Sequence, residues 1–268
     1  MSGEAPSPKW HPAKKRGNLR PTMSRRLLLR SFLTILLLFL VAIGWYLYQE
    51  VGRTFLDDPT VWEPEIAAFE SADRVSPPAR DAVLFIGSSS IRHWEKLEED
   101  MAPLRVIRRG FGGAKLTDLI HFADRIIFPY ARYEPRAIVI HAGGNELNNI
   151  PGNSWRTPEE ALSDFRSLVR VIRSRLPETP LYYLALRPSK LPGPRDEFLA
   201  LVRSDCDADP SLHYLDAGAG LTLADGSPDP SLIRWDFIHL NRTGYEIWAP
   251  PVRERLLRDL DRGQDAGD

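Results

Sequence analysis

The sequence predicts an α/β fold in which helices cover both faces of a parallel β-sheet. Five short apolar runs, each of four to six residues, are spaced between residues 83 and 215. Such runs are typical of strands buried on both faces, as in parallel sheets. The segments between the runs repeat apolar residues at helical spacing. Because strand and helix alternate without an internal repeat, we expect right-handed crossover connections throughout.

A separate segment precedes this pattern. Ser31 to Gln49 is a 19-residue run without a charge, close to the roughly 20 apolar residues that span a bilayer. Trp45, Tyr46 and Tyr48 cluster at its far end, as in an interfacial aromatic belt. A helix that is apolar all round has no polar face to show to water. We therefore predict a transmembrane helix at residues 31–49.

Basic residues before this run set its predicted orientation. Glu4 is the one acid there, against eight basic residues: Lys9, Lys14, Lys15, Arg16, Arg20, Arg25, Arg26 and Arg30. The positive-inside rule then keeps residues 1–30 as a cytoplasmic arm and places the rest of the chain in the periplasm, on a single-pass inner-membrane anchor. Ser24 to Arg30 also resembles a twin-arginine export signal. No A-x-A site follows, which favours an uncleaved anchor over a removed signal peptide.

Charge and cysteine content exclude several classes of function. Residues 1–50 contain eight basic and two acidic groups, which leaves 27 basic and 34 acidic groups, a net charge of −7, for residues 51–268. An acidic domain argues against nucleic acid as a partner. The single Cys206 allows no intramolecular disulfide and has no partner at zinc-site spacing. We predict neither a metal nor a cofactor.

The elements follow in chain order. Residues 50–78 are predicted to form a tether with a short amphipathic helix at 65–73, and residues 79–262 the folded domain. The first strand, Val83 to Ile86, ends in Gly87 and three serines, after which a helical pattern resumes. The remaining predicted strands are 104–107, 137–141, 181–186 and 212–215. The remaining predicted helices run through 116–127, from 158 to before Pro177, through 196–203 and through 243–260.

Polar or glycine-rich turns follow three of the predicted strands, at 87–90, 110–113 and 143–145. The carboxyl ends of parallel strands share one edge of a sheet, where ligands bind. Asp236 and His239, in the loop before the last helix, add an acid and an imidazole. Together these segments offer a nucleophile, a base, an orienting acid and N–H donors, which are the parts that acyl transfer requires.

Each part also has a structural interpretation. The serines could cap a helix, and the 110–113 turn could be a phosphate cradle, although no Walker pattern or ribose-binding acid accompanies it. Asn145 could be a turn residue. Asp236 could cap a turn and His239 could be a core histidine. We interpret the other histidines as structural or surface residues: His93, His121, His141 and His213.

Four segments together resemble the sequence blocks of the SGNH hydrolases, the GDSL-type esterases. The segments are Phe85–Ser89, Arg109–Gly113, Gly143–Glu146 and Asp236–Asn241. The resemblance covers roughly residues 60 to 260 and implies a flavodoxin-like three-layer α/β/α sandwich with a five-stranded parallel sheet. The chain departs from the family pattern at three positions, with Ser88 in place of Asp, Ser90 in place of Leu, and Glu146 in place of the Asp that usually follows the asparagine.

The resemblance implies a role for each residue. Ser89 is the expected nucleophile, and His239 the base, oriented by Asp236. The expected oxyanion donors are the backbone N–H groups of Ser89 and Gly113 and the side-chain amide of Asn145. The implied activity is that of a serine esterase, with lysophospholipase, lipase or acyltransferase activity on the same triad as alternatives. The alternative that is not an enzyme is a non-catalytic envelope-binding protein on this fold.

The loops indicate the size of the acyl group. Residues 147–154 and 187–195 are largely polar and contain no apolar insertion that could wall an acyl channel. A long acyl chain would gain about 0.8 kcal/mol for each methylene buried in such a channel. We therefore expect short-chain esters, in particular acetyl esters on envelope or extracellular glycans. The sequence leaves the oligomeric state open.

Overall fold

The computed structural model describes residues 24–50, 58–148, 155–191 and 193–265. The chain divides into two compact units, one up to Trp45 and one from Tyr46 onward. Helix α1, Arg25–Glu50, is long and apolar enough to cross a membrane, judged by length and composition. It contains the predicted run at 31–49 and starts earlier, since leucines fill the first turns between the basic residues.

The second unit contains five strands and nine α-helices within the described residues. The strands are β1 Val83–Gly87, β2 Val106–Gly110, β3 Ala137–His141, β4 Leu181–Leu184 and β5 Leu212–Leu215. The helices are α2 Glu63–Val75, α3 Ser89–Arg92, α4 Leu97–Met101, α5 Leu116–His121, α6 Ala123–Ile126, α7 Gly144–Leu147, α8 Pro158–Arg173, α9 Arg195–Ala208 and α10 Arg242–Asp265. Short 3₁₀ turns lie at Pro59–Trp62, Phe128–Tyr133, Ala219–Leu221 and Pro230–Leu232.

All strand pairs are parallel, and the strand order is β2-β1-β3-β4-β5. This order is the flavodoxin-like one, so the predicted fold class is confirmed. Alternate residues of β1 face opposite layers: Leu84 and Ile86 pack in one core cluster and Val83 and Phe85 in the other. Helices α5, α8 and α9 line the first cluster, and α3, α4 and α10 line the second.

Strand β2 differs from its prediction. It runs over 106–110 instead of 104–107, and it contains Arg108 and Arg109. Each guanidinium has hydrogen-bond partners. Arg108 donates to the carbonyls of Arg92 and Trp94, and Arg109 donates to Tyr130 at 2.6 Å and to Asp73. The prediction stopped early because these partners are distant in the sequence.

Other boundaries shift as well. The helical pattern at 116–127 is two short helices, α5 and α6, which meet at Phe122. Strand β4 ends at Leu184, two residues before its prediction. The helix predicted at 65–73 spans Glu63–Val75 and is anchored by Ile66, which is fully buried, and by Arg125, which binds Glu63 and Glu70. This helix, assigned from the sequence to a tether, packs on the folded core.

Candidate active site

The turn after β1 brings the serines to the carboxyl edge of the sheet. Gly87 has a φ of +153°, and a Cβ there would lie 2.2 Å from the carbonyl oxygen of His141 on β3. A side chain would therefore force β1 and β3 apart. Ser88 then caps α3, which begins at Ser89. The first N–H groups of a helix lack intrahelical partners, so they point toward the space beyond the strand ends.

A loop before α10 presents the acid and the imidazole. The Asp236 carboxylate accepts hydrogen bonds from the backbone N–H groups of Ile238 and His239, at 3.0 and 2.9 Å. Phe237 between them has a φ of +61°, which is uncommon for a bulky residue. Such strain persists where surrounding contacts fix it, and it is frequent at functional sites. The local hydrogen bonds thus hold both side chains of the Asp236–His239 segment in one orientation.

Ser89, His239 and Asp236 form a continuous hydrogen-bonded chain. His239 Nε2 lies 2.8 Å from Ser89 Oγ, although the two residues are 150 positions apart in the sequence. His239 Nδ1 lies 3.1 Å from Asp236 Oδ2. This places the nitrogen that can take a proton against the hydroxyl, with the carboxylate on the opposite nitrogen to fix the tautomer.

The electrostatics of the triad favour a neutral imidazole. Burial lowers the pKa of His239; the hydrogen bond with Asp236 opposes this effect, and His93 lowers the pKa further. Burial raises the pKa of Asp236, but hydrogen bonds from His239 and from two backbone N–H groups outweigh it and hold that pKa well below the usual range. At neutral pH the site therefore holds an unprotonated base beside an ionised carboxylate.

The predicted oxyanion residues occupy two neighbouring turns. Asn145, in α7 after β3, lines the same cavity as Ser89. Its Nδ2 donates to the carbonyl of Ala114 at 2.9 Å, and Ala114 directly follows Gly113 in the turn after β2. Gly113 has a φ of +58°, a left-handed conformation that glycine adopts without strain. The structure thus links the turn of Gly113 to Asn145, while Gly113 itself does not line the cavity.

Glu146 ties the same two turns together. Its side chain is fully buried, and its Oε1 accepts a hydrogen bond from the backbone N–H of Leu116, at the start of α5. Burial raises the pKa of Glu146 to about 7, although the Leu116 N–H acts in the opposite direction. The carboxyl group therefore acts as a buried connector between the turn after β2 and the turn after β3.

The cavity beside Ser89 has a volume of about 200 Å³. Its walls combine polar side chains with a few leucines: Ser88, Ser89, Ser90, His141, Asn145, Asn148, Leu147, Leu186, Arg187, Ser189, Leu191, Arg195, Asp196 and Ile238. A second groove of about 280 Å³ shares Arg187, Ser189 and Ile238 with the cavity and is more apolar, because Pro228, Pro230, Ile233, Trp235 and Phe237 also line it.

Three residues near the site were not assigned a role from the sequence. The His93 ring lies 4.5 Å from the His239 ring, and His93 Nδ1 lies 3.0 Å from a nitrogen of Arg234. Arg187 lines both the cavity and the groove. A signal existed for Arg187, since it follows the fourth predicted strand and so belongs to the same sheet edge. His141, interpreted as structural, is buried and lies 2.9 Å from the Leu184 carbonyl.

Among the described residues, no group of three or more His, Cys, Asp or Glu side chains could hold a metal ion. The arrangement offers a hydroxyl, a base, an acid and N–H donors. These parts can activate a serine for attack on a carbonyl carbon.

Comparisons with known proteins agree with this chemistry. A model of the GDSL-like lipase/acylhydrolase family matches residues 85–247. The alpha1 subunits of platelet-activating factor acetylhydrolase IB from Bos taurus and Homo sapiens are 27% and 28% identical to this chain, covering 69% of it and 79% and 80% of their own lengths. A GDSL-like lipase structure from Bacteroides thetaiotaomicron has a TM-score of 0.57 and 15% identity, covering 75% of this chain and 98% of its own.

Proposed function

Because the chain belongs to the GDSL-like lipase/acylhydrolase family, we propose that it is a serine esterase in which Ser89 is the nucleophile, His239 the base and Asp236 the orienting acid. The observation that carries the proposal is the continuous chain of hydrogen bonds from Ser89 Oγ through the His239 ring to the Asp236 carboxylate. A nucleophile, a base and an orienting acid within hydrogen-bond reach are the signature of an activated serine.

The mechanism follows from this geometry. His239 Nε2 takes the proton of Ser89 as Oγ attacks the ester carbonyl, and the carbonyl oxygen becomes an oxyanion. The proposed donors to that oxyanion are the N–H groups of Ser89 and Gly113 and the amide of Asn145. The tetrahedral intermediate then collapses, and His239 returns the proton to the departing alcohol. Water, deprotonated by His239, attacks the acyl carbon on Ser89, and His239 returns that proton to Ser89 Oγ as the acyl C–O bond breaks and the acid leaves.

We propose that the acyl group is short, in particular acetyl. The cavity of about 200 Å³ is smaller than the ~300–1,000 Å³ of clefts that hold drug-sized ligands. The mammalian relatives are named acetylhydrolases, which supports a two-carbon acyl group here. An alcohol on an envelope or extracellular glycan suits the polar walls of the cavity.

A lipid ester is the second candidate. The groove beside the cavity is apolar, and two of its aromatic side chains, Trp235 and Phe237, are 65% and 87% exposed. Exposed aromatic residues next to a site can bind apolar chains. Such a groove would suit a lipase or lysophospholipase that uses the same triad.

A series of p-nitrophenyl esters separates the two candidates. We expect kcat/KM of the full-length chain, reconstituted in nanodiscs, to peak at acyl chains of two to four carbons. The largely polar walls of the cavity would give each further methylene little of the ~0.8 kcal/mol that full apolar burial contributes. A maximum at twelve carbons or more would contradict the short-acyl proposal and favour the lipase.

We further propose that α1 anchors the enzyme in the inner membrane and that the catalytic domain lies in the periplasm. The support is the length and apolar composition of α1 and the eight basic residues in and before its start.

A further inference from the structure

Arg187 lies in the loop after β4, three residues beyond the end of that strand at Leu184, at the carboxyl edge of the sheet. It lines the cavity that contains Ser89 and also the adjoining groove of Trp235 and Phe237. The residue is half-buried. Its guanidinium therefore lies where the alcohol part of an ester would pass from the cavity into the groove.

The guanidinium has few partners in the described part of the chain. It donates one hydrogen bond, to the backbone carbonyl of Ile238, and forms no ion pair. Burial lowers the pKa of the Arg187 side chain, and electrostatic interactions with Tyr245 and Asp236 oppose this effect only in part. A guanidinium has five N–H donors, and a buried charge is costly unless it is paired.

Two neighbouring arginines have carboxylate partners. Arg195 binds Asp196 through two hydrogen bonds, of 2.9 and 2.6 Å. Arg234 lies 3.6 Å from Asp236. Lys190, in the same loop as Arg187, is exposed to solvent. Arg187 is thus a partly buried cation at the site that lacks a carboxylate partner among the described residues, in a domain whose net charge is −7.

We propose that Arg187 binds an anionic group, a phosphate or a carboxylate, on the alcohol part of the ester substrate. The planar fork of a guanidinium matches both groups with paired hydrogen bonds. The anion belongs to the alcohol because the acyl part is short, and in this respect the inference rests on the proposed function. The substrate class is then an acetyl ester of an alcohol that carries an anionic group.

Three matched acetates test the proposal on the full-length chain: 2-acetoxyethyl phosphate, 3-acetoxypropionate and neutral 2-methoxyethyl acetate. We expect kcat/KM to be at least ten-fold higher for one of the anionic esters than for the neutral one, mainly through a lower KM. The ester that is preferred identifies the anion as a phosphate or a carboxylate. Equal rates on all three would overturn the anion site alone, whereas no hydrolysis of any would overturn the proposed function as well.

Substitution of Arg187 separates anion binding from structural support. In Arg187→Gln, kcat/KM for the preferred anionic ester should fall at least ten times further than for the neutral ester, and Arg187→Lys should recover part of the preference. Lys190→Gln, which removes an exposed charge from the same loop, should keep the preference. Equal losses on charged and neutral esters would show that Arg187 only holds the Ile238 carbonyl, and would overturn the proposal.

A measurement without a variant covers the case in which Arg187→Gln does not fold. One of the product alcohols, 2-hydroxyethyl phosphate or 3-hydroxypropionate, should be a competitive inhibitor of the wild-type chain. Its inhibition constant should be at least ten-fold below that of 2-methoxyethanol. Equal, weak inhibition by all three alcohols would contradict an anion site.

Discussion

At the scale of single residues, the environment of His239 decides how the proposed base works. The ring is buried against the serine and the carboxylate, with His93 beside it. Burial disfavours the charged imidazolium, and Asp236 counteracts this effect only in part. A base that stays unprotonated at lower pH remains available for proton transfer there.

The pH dependence of kcat/KM tests this electrostatic account. A lowered pKa means that His239 is deprotonated at a lower pH than a free histidine. We therefore expect the acidic limb of the profile to titrate below 6.5, the ordinary value. His93→Gln removes the electrostatic interaction with His93 that lowers the pKa of His239, so it should move the limb to higher pH. His213→Gln, a substitution on β5, should not move it; a limb at or above 6.5 in the wild type would contradict the account.

The sequence predicted the three residues of the proposed triad but not their surroundings. Ser89, Asp236 and His239 lie in short blocks whose residue types carry the chemistry, so one chain is enough to select them. Neither Arg187 nor His93 lies in such a block, and although Arg187 follows the fourth predicted strand, what distinguishes both residues is the set of groups around them. Those groups come from segments distant in the sequence: His239 lies beside His93, and Ile238 accepts the hydrogen bond of Arg187.

At the scale of elements, the two turns that contain Gly113 and Asn145 depend on each other. The hydrogen bond from Asn145 to Ala114 and the one from Leu116 to Glu146 connect them. The serine helix is held from another side, since the Tyr245 hydroxyl of α10 donates to the Ser90 carbonyl at 2.7 Å. The site is thus fixed by contacts between elements and not by any single loop.

Glu146→Gln tests the buried connector. Because folding raises the pKa of Glu146 to about 7, the folded state holds its proton longer than the unfolded chain does. The contribution of Glu146 to the free energy of unfolding is greatest below the pKa of the unfolded state, near 4.5. This contribution declines by up to roughly 3 kcal/mol as pH rises through 7. Urea denaturation from pH 4.5 to 8 should show a shallower decline for Glu146→Gln than for the wild type.

Controls distinguish the connector from general packing. Glu146→Gln keeps an acceptor for the Leu116 N–H, and we expect it to retain most of the kcat, whereas Glu146→Ala should lower kcat by ten-fold or more. The same decline of stability with pH in Glu146→Gln and in the wild type would show that another group titrates.

Sequence patterns were sufficient to predict some of the helices and strands and not the limits of others. The five strands and their parallel direction follow from apolar runs that alternate with helices, because burial on both faces requires apolar residues. The limits of β2 did not follow, since Arg108 and Arg109 lie inside the strand and form hydrogen bonds with groups from distant segments. The break at Phe122 between α5 and α6 was also missed, because apolar residues continue through it at helical spacing.

At the scale of the whole molecule, an acidic domain follows a basic arm and an apolar helix. This charge pattern predicts a periplasmic catalytic domain under the positive-inside rule. A periplasm-active reporter such as alkaline phosphatase, fused after residue 60, should be active, and a reporter active only in the cytoplasm should be silent at the same site. Replacing the basic residues before Ser31 with glutamine should weaken the preference for a periplasmic domain. The reverse reporter pattern would contradict the topology.

Covalent labelling tests the central claim most directly. A fluorophosphonate reacts with a serine only when a neighbouring base activates it, so the reagent reports the Ser89–His239 pair itself. We expect mass spectrometry to place a single adduct on Ser89 in the full-length chain, with labelling abolished in Ser89→Ala and His239→Ala and retained in Ser88→Ala. An adduct on Ser88 or Ser90, or no adduct on a folded chain, would contradict the assignment of Ser89 as an activated nucleophile.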